Sequence, residues 1–136
     1  MSAKTVGDLM HKGVIACSTE TPLNQIVRII NDMSVHAIVV MDPNSQALGI
    51  ITHMDIIRFY GEDLNQIAAH QMMSDQVFEI ESDQPVKRAA DQMLKKSVEH
   101  LLVIERQDDK RQPVGVVSTT DLIKEMRGSR WIWHLG

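Results

Sequence analysis

Gly49-Ile50-Ile51-Thr52-His53-Met54-Asp55-Ile56-Ile57 and Gly115-Val116-Val117-Ser118-Thr119-Thr120-Asp121-Leu122-Ile123 carry one pattern, 66 residues apart. Each has a glycine, two aliphatic residues, a hydroxyl residue and, three positions on, an aspartate followed by a further aliphatic pair. Toward the N-terminus the match continues at an offset of 63. Met10 falls on Met73, Val14 on Val77, Pro22 on Pro85, Ser34-Val35 on Ser97-Val98 and Val40 on Val103. One change of offset, absorbed in a loop three residues longer in the second copy, is what tandem duplication predicts.

Each copy reads β-α-β-β-α. A strand near Val14 to Cys17 (Val77 to Ile80) is followed by a helix opened by Pro22 (Pro85), with proline at the first helical position, where its missing N–H leaves nothing unpaired. Leu23, Ile26, Val27, Ile30 and Met33 recur at steps of three and four, as do Val86, Ala89, Ala90, Met93 and Leu94. Two strands come next, Ala37 to Met41 and Leu48 to Ile51, matched by Leu101 to Ile104 and Val114 to Val117. Between the second pair, Gln107 to Pro113 reads as a solvated loop around Asp108-Asp109-Lys110-Arg111. Helices near Asp55 to Tyr60 and Asp121 to Met126 close the copies. Residues 61–72 connect them, partly helical around Leu64, Ile67 and Ala68. The strands are nearly continuous apolar runs, the pattern of strands covered on both faces. One copy alone has a small core. The expected fold class is therefore α/β (α+β): two tandem repeats, 1–63 and 64–128, packed sheet to sheet with pseudo-two-fold symmetry. An aromatic tail, 129–136, carries Trp131 and Trp133.

Composition narrows the function classes. The 136 residues hold 14 basic and 18 acidic side chains, a net charge of −4, with 43% hydrophobic and 24% charged residues, which suits a folded globular chain rather than a disordered one. The acidic balance argues against non-specific nucleic-acid binding, for which only Lys124, Arg127, Arg130 and the tryptophans speak. Cys17 stands alone, which excludes an intrachain disulfide and a cysteine-rich zinc site; it is expected to be buried and inert. There is no apolar signal core and no apolar run near the ~20 residues of a membrane span, so a cytoplasmic, non-membrane protein is expected. None of the six histidines has metal-site spacing, and no Walker A or dinucleotide fingerprint occurs. No catalytic residue and no metal are assigned. Met10, Met33, Met54, Met72, Met73 and Met93 fall where the pattern calls for core residues.

The doubled Gly-φ-φ-(Thr/Ser)-x-x-Asp motif, where φ is aliphatic, and the β-α-β-β-α order resemble a tandem pair of cystathionine-β-synthase (CBS) domains, a Bateman module, over about residues 4–128. The resemblance implies a stand-alone regulatory module that is not an enzyme and needs no cofactor. It implies binding of AMP, ADP, ATP or S-adenosylmethionine, action on a protein effector in trans, and homodimerisation. The alternative is a ligand-free protein–protein interaction module. The family's clefts combine the motif of one repeat with the start of the other. Carried over, Ser118, Thr120 and Asp121 would join Thr19 and Asn24, while Thr52, Met54 and Asp55 would join residues near Ser82. His36 and His100 stand near the start of the next strand, where members often carry Arg or His; Glu99 departs from that pattern.

The chemistry of the motif agrees with this. A strand feeding a helix aims backbone N–H groups at an anion. The hydroxyl of Thr52 or Ser118 can donate to a phosphate, and an ionised Asp55 or Asp121 can accept from a ribose diol. The same residue types are N-caps, and both roles can coexist. Three hydroxyls precede Asp121 and one precedes Asp55. Nucleotide is thus expected first at Asp121, with one phosphate preferred over three. The closing helices offer Ile56, Ile57, Phe59, Leu122, Ile123 and Met126 to the domain's own sheet and to a two-fold dimer.

Overall fold

The computed structural model describes residues 4–127, so the tail 129–136 lies outside the described residues. Its elements run α1 (Val6–Leu9), β1 (His11–Lys12), β2 (Ala16–Cys17), α2 (Leu23–Met33), β3 (Ala37–Met41), β4 (Ala47–Thr52) and α3 (His53–Ile57), then a 3-10 turn (Leu64–Gln66). They continue with α4 (Ala69–Met72), β5 (Glu79–Glu81), α5 (Val86–Lys96), β6 (His100–Gln107), β7 (Lys110–Ser118) and α6 (Thr119–Met126). The mixed α/β class and the doubled order of elements are those expected. Among the described residues no helix is long and apolar enough to cross a membrane.

The chain forms two compact units, and these are not the sequence repeats. One unit is Val14–Phe78; in the other, the residues up to Gly13 join those from Glu79 onward. In the Val14–Phe78 unit, β2 runs parallel to β3 and β3 antiparallel to β4, with Ala37 opposite Thr52. Pro22 is the N-cap of α2, in extended backbone, one position before the expected one. The helix ends on Ser34 in the left-handed conformation (φ 52°), which turns the chain into β3. Leu23, Ile26, Ile38, Val40, Ile51, Ile67, Ala69 and Met72 form its core.

The other unit orders its sheet β1-β7-β6-β5, with β5 parallel to β6 and the remaining pairs antiparallel. Ser97 repeats the left-handed helix end at φ 56°. Ala37 to Val40 and Leu101 to Ile104 are each buried over four consecutive residues, so both faces of β3 and β6 are covered.

The motif glycines have a steric cause. β1 crosses β7 with His11 opposite Val116, and a Cβ on Gly115 would press into the His11 carbonyl oxygen and lie 2.7 Å from Met10 Sδ. On β4, a Cβ at Gly49 would meet Met73 Sδ at 2.6 Å and the Ser74 carbonyl at 2.7 Å, and Ser74 bridges antiparallel to Ile50. The leader of the first repeat, Met10-His11, thus lies on the strand of the second, and the leader of the second, Met73-Ser74, on the strand of the first.

Three expectations change. The segment expected as a loop at 107–113 is strand: β6 and β7 pair as far as Gln107 opposite Lys110. Only Asp108 and Asp109 turn, both at positive φ (49° and 64°), the geometry of a two-residue hairpin. The three extra residues lengthen a hairpin. Next, α3 and α6 begin at His53 and Thr119, two residues earlier than expected, which makes Asp55 and Asp121 the third residues of their helices. Finally, Met72 and Met93 are core, whereas Met33 and Met54 are exposed.

Candidate functional site

The two strand-to-helix turns are capping boxes, in which the third residue of the helix reaches back to the residue before it. At the end of β7, the Ser118 N–H and hydroxyl donate to Asp121 Oδ2 at 2.8 and 3.1 Å, and the Asp121 N–H donates back to Ser118 Oγ at 3.3 Å. Both residues are buried. At the end of β4, Thr52 donates from its N–H and hydroxyl to Asp55 Oδ2 at 2.8 and 3.1 Å. The second carboxylate oxygens are engaged as well. Asp121 Oδ1 lies 3.2 Å from His11 Nε2, and Asp55 Oδ1 accepts from Arg58 at 3.3 Å.

These contacts change the chemistry available at each turn. The Ser118 hydroxyl, expected to reach a phosphate, is held inside the cap. Thr120 is exposed one residue before Asp121, so it is the hydroxyl of this turn that faces outward. Glu99 is exposed and His100 half-buried, with His100 opposite Ser118 in the β6–β7 register. Ser118, Thr120, Asp121, His100 and His11 therefore share one unit. Helix α6 is eight residues long and α3 only five, so the fuller helix start, with its unpaired first-turn N–H groups, is at Thr119 to Asp121.

The Val14–Phe78 unit holds the other expected residues: Thr19, Asn24, His36, Thr52 and Asp55. Thr19 lies in the loop before Pro22, and its carbonyl accepts from the His70 N–H at 3.0 Å. Asn24 Oδ1 is buried and has no hydrogen-bond partner among the described residues. A buried acceptor without a donor is unusual and suits a ligand N–H or O–H. The His36 and His53 rings lie 5.6 Å apart at 53°, and His53 Nε2 is 3.4 Å from the Val35 carbonyl. They sit at an open groove of about 510 Å³ between α2 and α3, walled by Val27, Ile30, Val35 and Ile56 and rimmed by Asn31 and Ile57.

Sequence reasoning missed His11. It stands 110 residues from Asp121, and no local spacing links the two. It also missed the Thr5-Val6-Gly7-Asp8 box, although the Thr-x-x-Asp spacing was there to read. There the Thr5 N–H and then its hydroxyl hold the Asp8 carboxyl below its ordinary value. Among the described residues no cluster of three or more His, Cys, Asp or Glu side chains could hold a metal. Cys17, expected to be buried, is half-buried. Even so, desolvation pushes its thiol above the ordinary value of 9.0, against an opposing hydrogen bond with Thr21. At neutral pH the reactive thiolate is therefore suppressed. Iodoacetamide should modify Cys17 several-fold more slowly in the native protein than in the urea-unfolded chain; equal rates would contradict the burial.

A doubled strand–turn–helix with capped aspartates, on two α/β units each completed by the other repeat's leader, defines a tandem regulatory-module class of fold. A family profile for the CBS domain matches residues 6–62 and 68–128, and the chain belongs to the CBS domain family. The structure is similar to the CBS domain pair of protein MJ0100, solved with 5′-methylthioadenosine and S-adenosyl-L-methionine (TM-score 0.81, 24% identity, covering 93% of this chain and 98% of that one). A CBS-domain containing protein from Agrobacterium tumefaciens superposes at TM-score 0.78 with 19% identity, covering 91% and 94% of the two chains. A hexameric CBS-CP12 protein from bloom-forming cyanobacteria does so at 0.78 with 15% identity, covering 96% and 74%. Among curated proteins no sequence match was found.

Proposed function

We propose that this CBS-domain pair is a regulatory module, not a catalyst, that binds an adenine nucleotide or adenosyl compound and reports that state to a protein effector in trans. The observation that carries the reading is the start of α6. There the exposed Thr120 hydroxyl stands beside helical N–H groups, at the turn that also holds Asp121. This is a setting for one phosphate or a ribose edge. The buried, unpartnered Asn24 Oδ1 supports it by offering an acceptor to a base amine or a hydroxyl. The structural relative solved with methylthioadenosine and S-adenosylmethionine supports the adenosyl class. Ser118, Thr120, Asp121 and His100 form the preferred position, and AMP is favoured over ATP. Thr19, Asn24, His36, Thr52 and Asp55 are the remaining binding residues in this proposal.

A thermal-shift series with AMP, ADP, ATP, S-adenosylmethionine and methylthioadenosine tests it. A ligand at 100 times its Kd adds about 2.7 kcal/mol to stability. Thr120→Val should weaken the best ligand several-fold and leave the ligand-free Tm in place, since Thr120 is exposed. No shift with any of the five at millimolar concentration favours the second reading, a ligand-free interaction module. The internal engagement of Ser118, Asp121 and Asp55 speaks for that reading.

The module is also proposed to be a homodimer. Exposure narrows the candidate face in the Val14–Phe78 unit to Met33, Met54, Ile57 and Tyr60 around the α2–α3 groove. Ile57→Glu should convert the dimer to the 15.4 kDa monomer in light scattering, with the CD spectrum retained. A wild-type chain that is monomeric at tens of micromolar would refute the dimer.

A further inference from the structure

Helix α6 leaves Ile123 and Met126 exposed (65% and 82%), three residues apart on one face, and neighbouring α5 leaves Leu94 exposed at 78%. The repeat shows that these positions belong to one groove. At offsets of 63 and 66, Leu94 corresponds to Asn31 and Ile123 to Ile57, and Asn31 and Ile57 rim the same groove between α2 and α3. The α5–α6 groove carries a leucine where its counterpart carries an asparagine, so it is the more apolar of the two.

The segments that succeed the two closing helices differ in the matching sense. After α3 come Gly61-Glu62-Asp63, polar and acidic. After α6 come Gly128-Ser129-Arg130-Trp131-Ile132-Trp133-His134-Leu135-Gly136, with both tryptophans of the chain. We propose that this segment folds back along α6 and seats Trp131 and Trp133 on Leu94, Ile123 and Met126 of the same chain.

Length permits this. Trp131 is four residues beyond Arg127, a reach of about 14 Å, while Ile123 lies only about 6 Å back along the helix. Gly128 directly succeeds the C-cap Arg127, the position where glycine most readily reverses a chain. After α3, Gly61 takes that left-handed conformation at φ 93°. Residues two apart in an extended segment point to one side with a spacing of about 7 Å. Neighbours on a helix face lie about 5–6 Å apart, so two indoles match Ile123 and Met126. The surrounding cations, Lys95, Lys96 and Lys124, suit indole faces and would repel a basic partner.

Because Trp131 and Trp133 are the only tryptophans, intrinsic tryptophan fluorescence of the whole protein reports on this segment alone. Wild-type emission should be blue-shifted and shielded from acrylamide relative to N-acetyltryptophanamide, at every concentration from submicromolar to tens of micromolar. Leu94→Glu and Ile123→Glu, both at exposed positions, should each move it to the free-indole value with CD unchanged. Ile57→Glu should break the dimer and leave the emission in place. Free-indole emission in the wild type would overturn the proposal. So would emission that stays shielded in Leu94→Glu and Ile123→Glu. Shielding lost on dilution or in Ile57→Glu, together with the dimer, would assign the segment to a second copy instead and overturn the same-chain seat.

Discussion

Gly115→Ala is expected to lower the unfolding free energy by about 3 kcal/mol and Tm by roughly 10 °C, although it adds a single methyl group. The new Cβ would enter the space of the His11 carbonyl and Met10 Sδ. A thioether can swing aside, but a backbone carbonyl paired in a sheet cannot. β1 must therefore lift from β7, giving up the His11–Val116 register and the Gly13 N–H bond to the Val114 carbonyl. His11 would leave Asp121 with it, so the substitution should also disturb the candidate site. Gly49→Ala should behave alike through the Ser74 carbonyl. Urea denaturation measures both. A loss within about 0.5 kcal/mol, as for an ordinary surface change, would mean that the leader segments do not lie on these strands.

Asp121→Ala is expected to cost about 2–3 kcal/mol without any ligand present. Its carboxylate takes the buried Ser118 N–H and hydroxyl and lies beside His11. Alanine strands that N–H, and an unsatisfied buried donor alone costs about 1–3 kcal/mol. Asp55→Ala should cost less, about 1 kcal/mol, because Thr52 is only half-buried and Arg58 is well exposed. If Asp121 also holds ribose hydroxyls, its loss weakens nucleotide by roughly 10- to 150-fold. That loss is read against Thr120→Val, which leaves the cap intact. Equal melting temperatures for Asp121→Ala and the wild type would remove the capping role. A full loss of stability with unchanged affinity would leave capping alone.

The duplication, the β-α-β-β-α order, the class of fold and both capped turns were legible in the chain because each rests on neighbours. Apolar steps of three and four set α2 and α5, and Thr52-x-x-Asp55 and Ser118-x-x-Asp121 close over four residues. The hairpin at 107–110 was not, because Asp108-Asp109 reads equally as a loose loop, and only the pairing of Gln107 with Lys110 closes it as a two-residue turn. Exposure was also hidden. Met33 and Met93 both fall on the apolar stripe of their helices, yet one is solvent-facing and the other core.

The deeper gap concerns partners far apart in sequence. The chain by itself determined that Met10 and Met73 are equivalent and that each glycine motif needs something close above it. Which leader lies on which strand was decided only in three dimensions, where Met10-His11 covers Gly115 and Met73-Ser74 covers Gly49. Two equivalent segments carry the same local preferences, so periodicity cannot choose between them; backbone pairing and exclusion of a Cβ can. That choice brought His11 to Asp121 and placed the Ser118 hydroxyl inside a cap, leaving Thr120 to face outward.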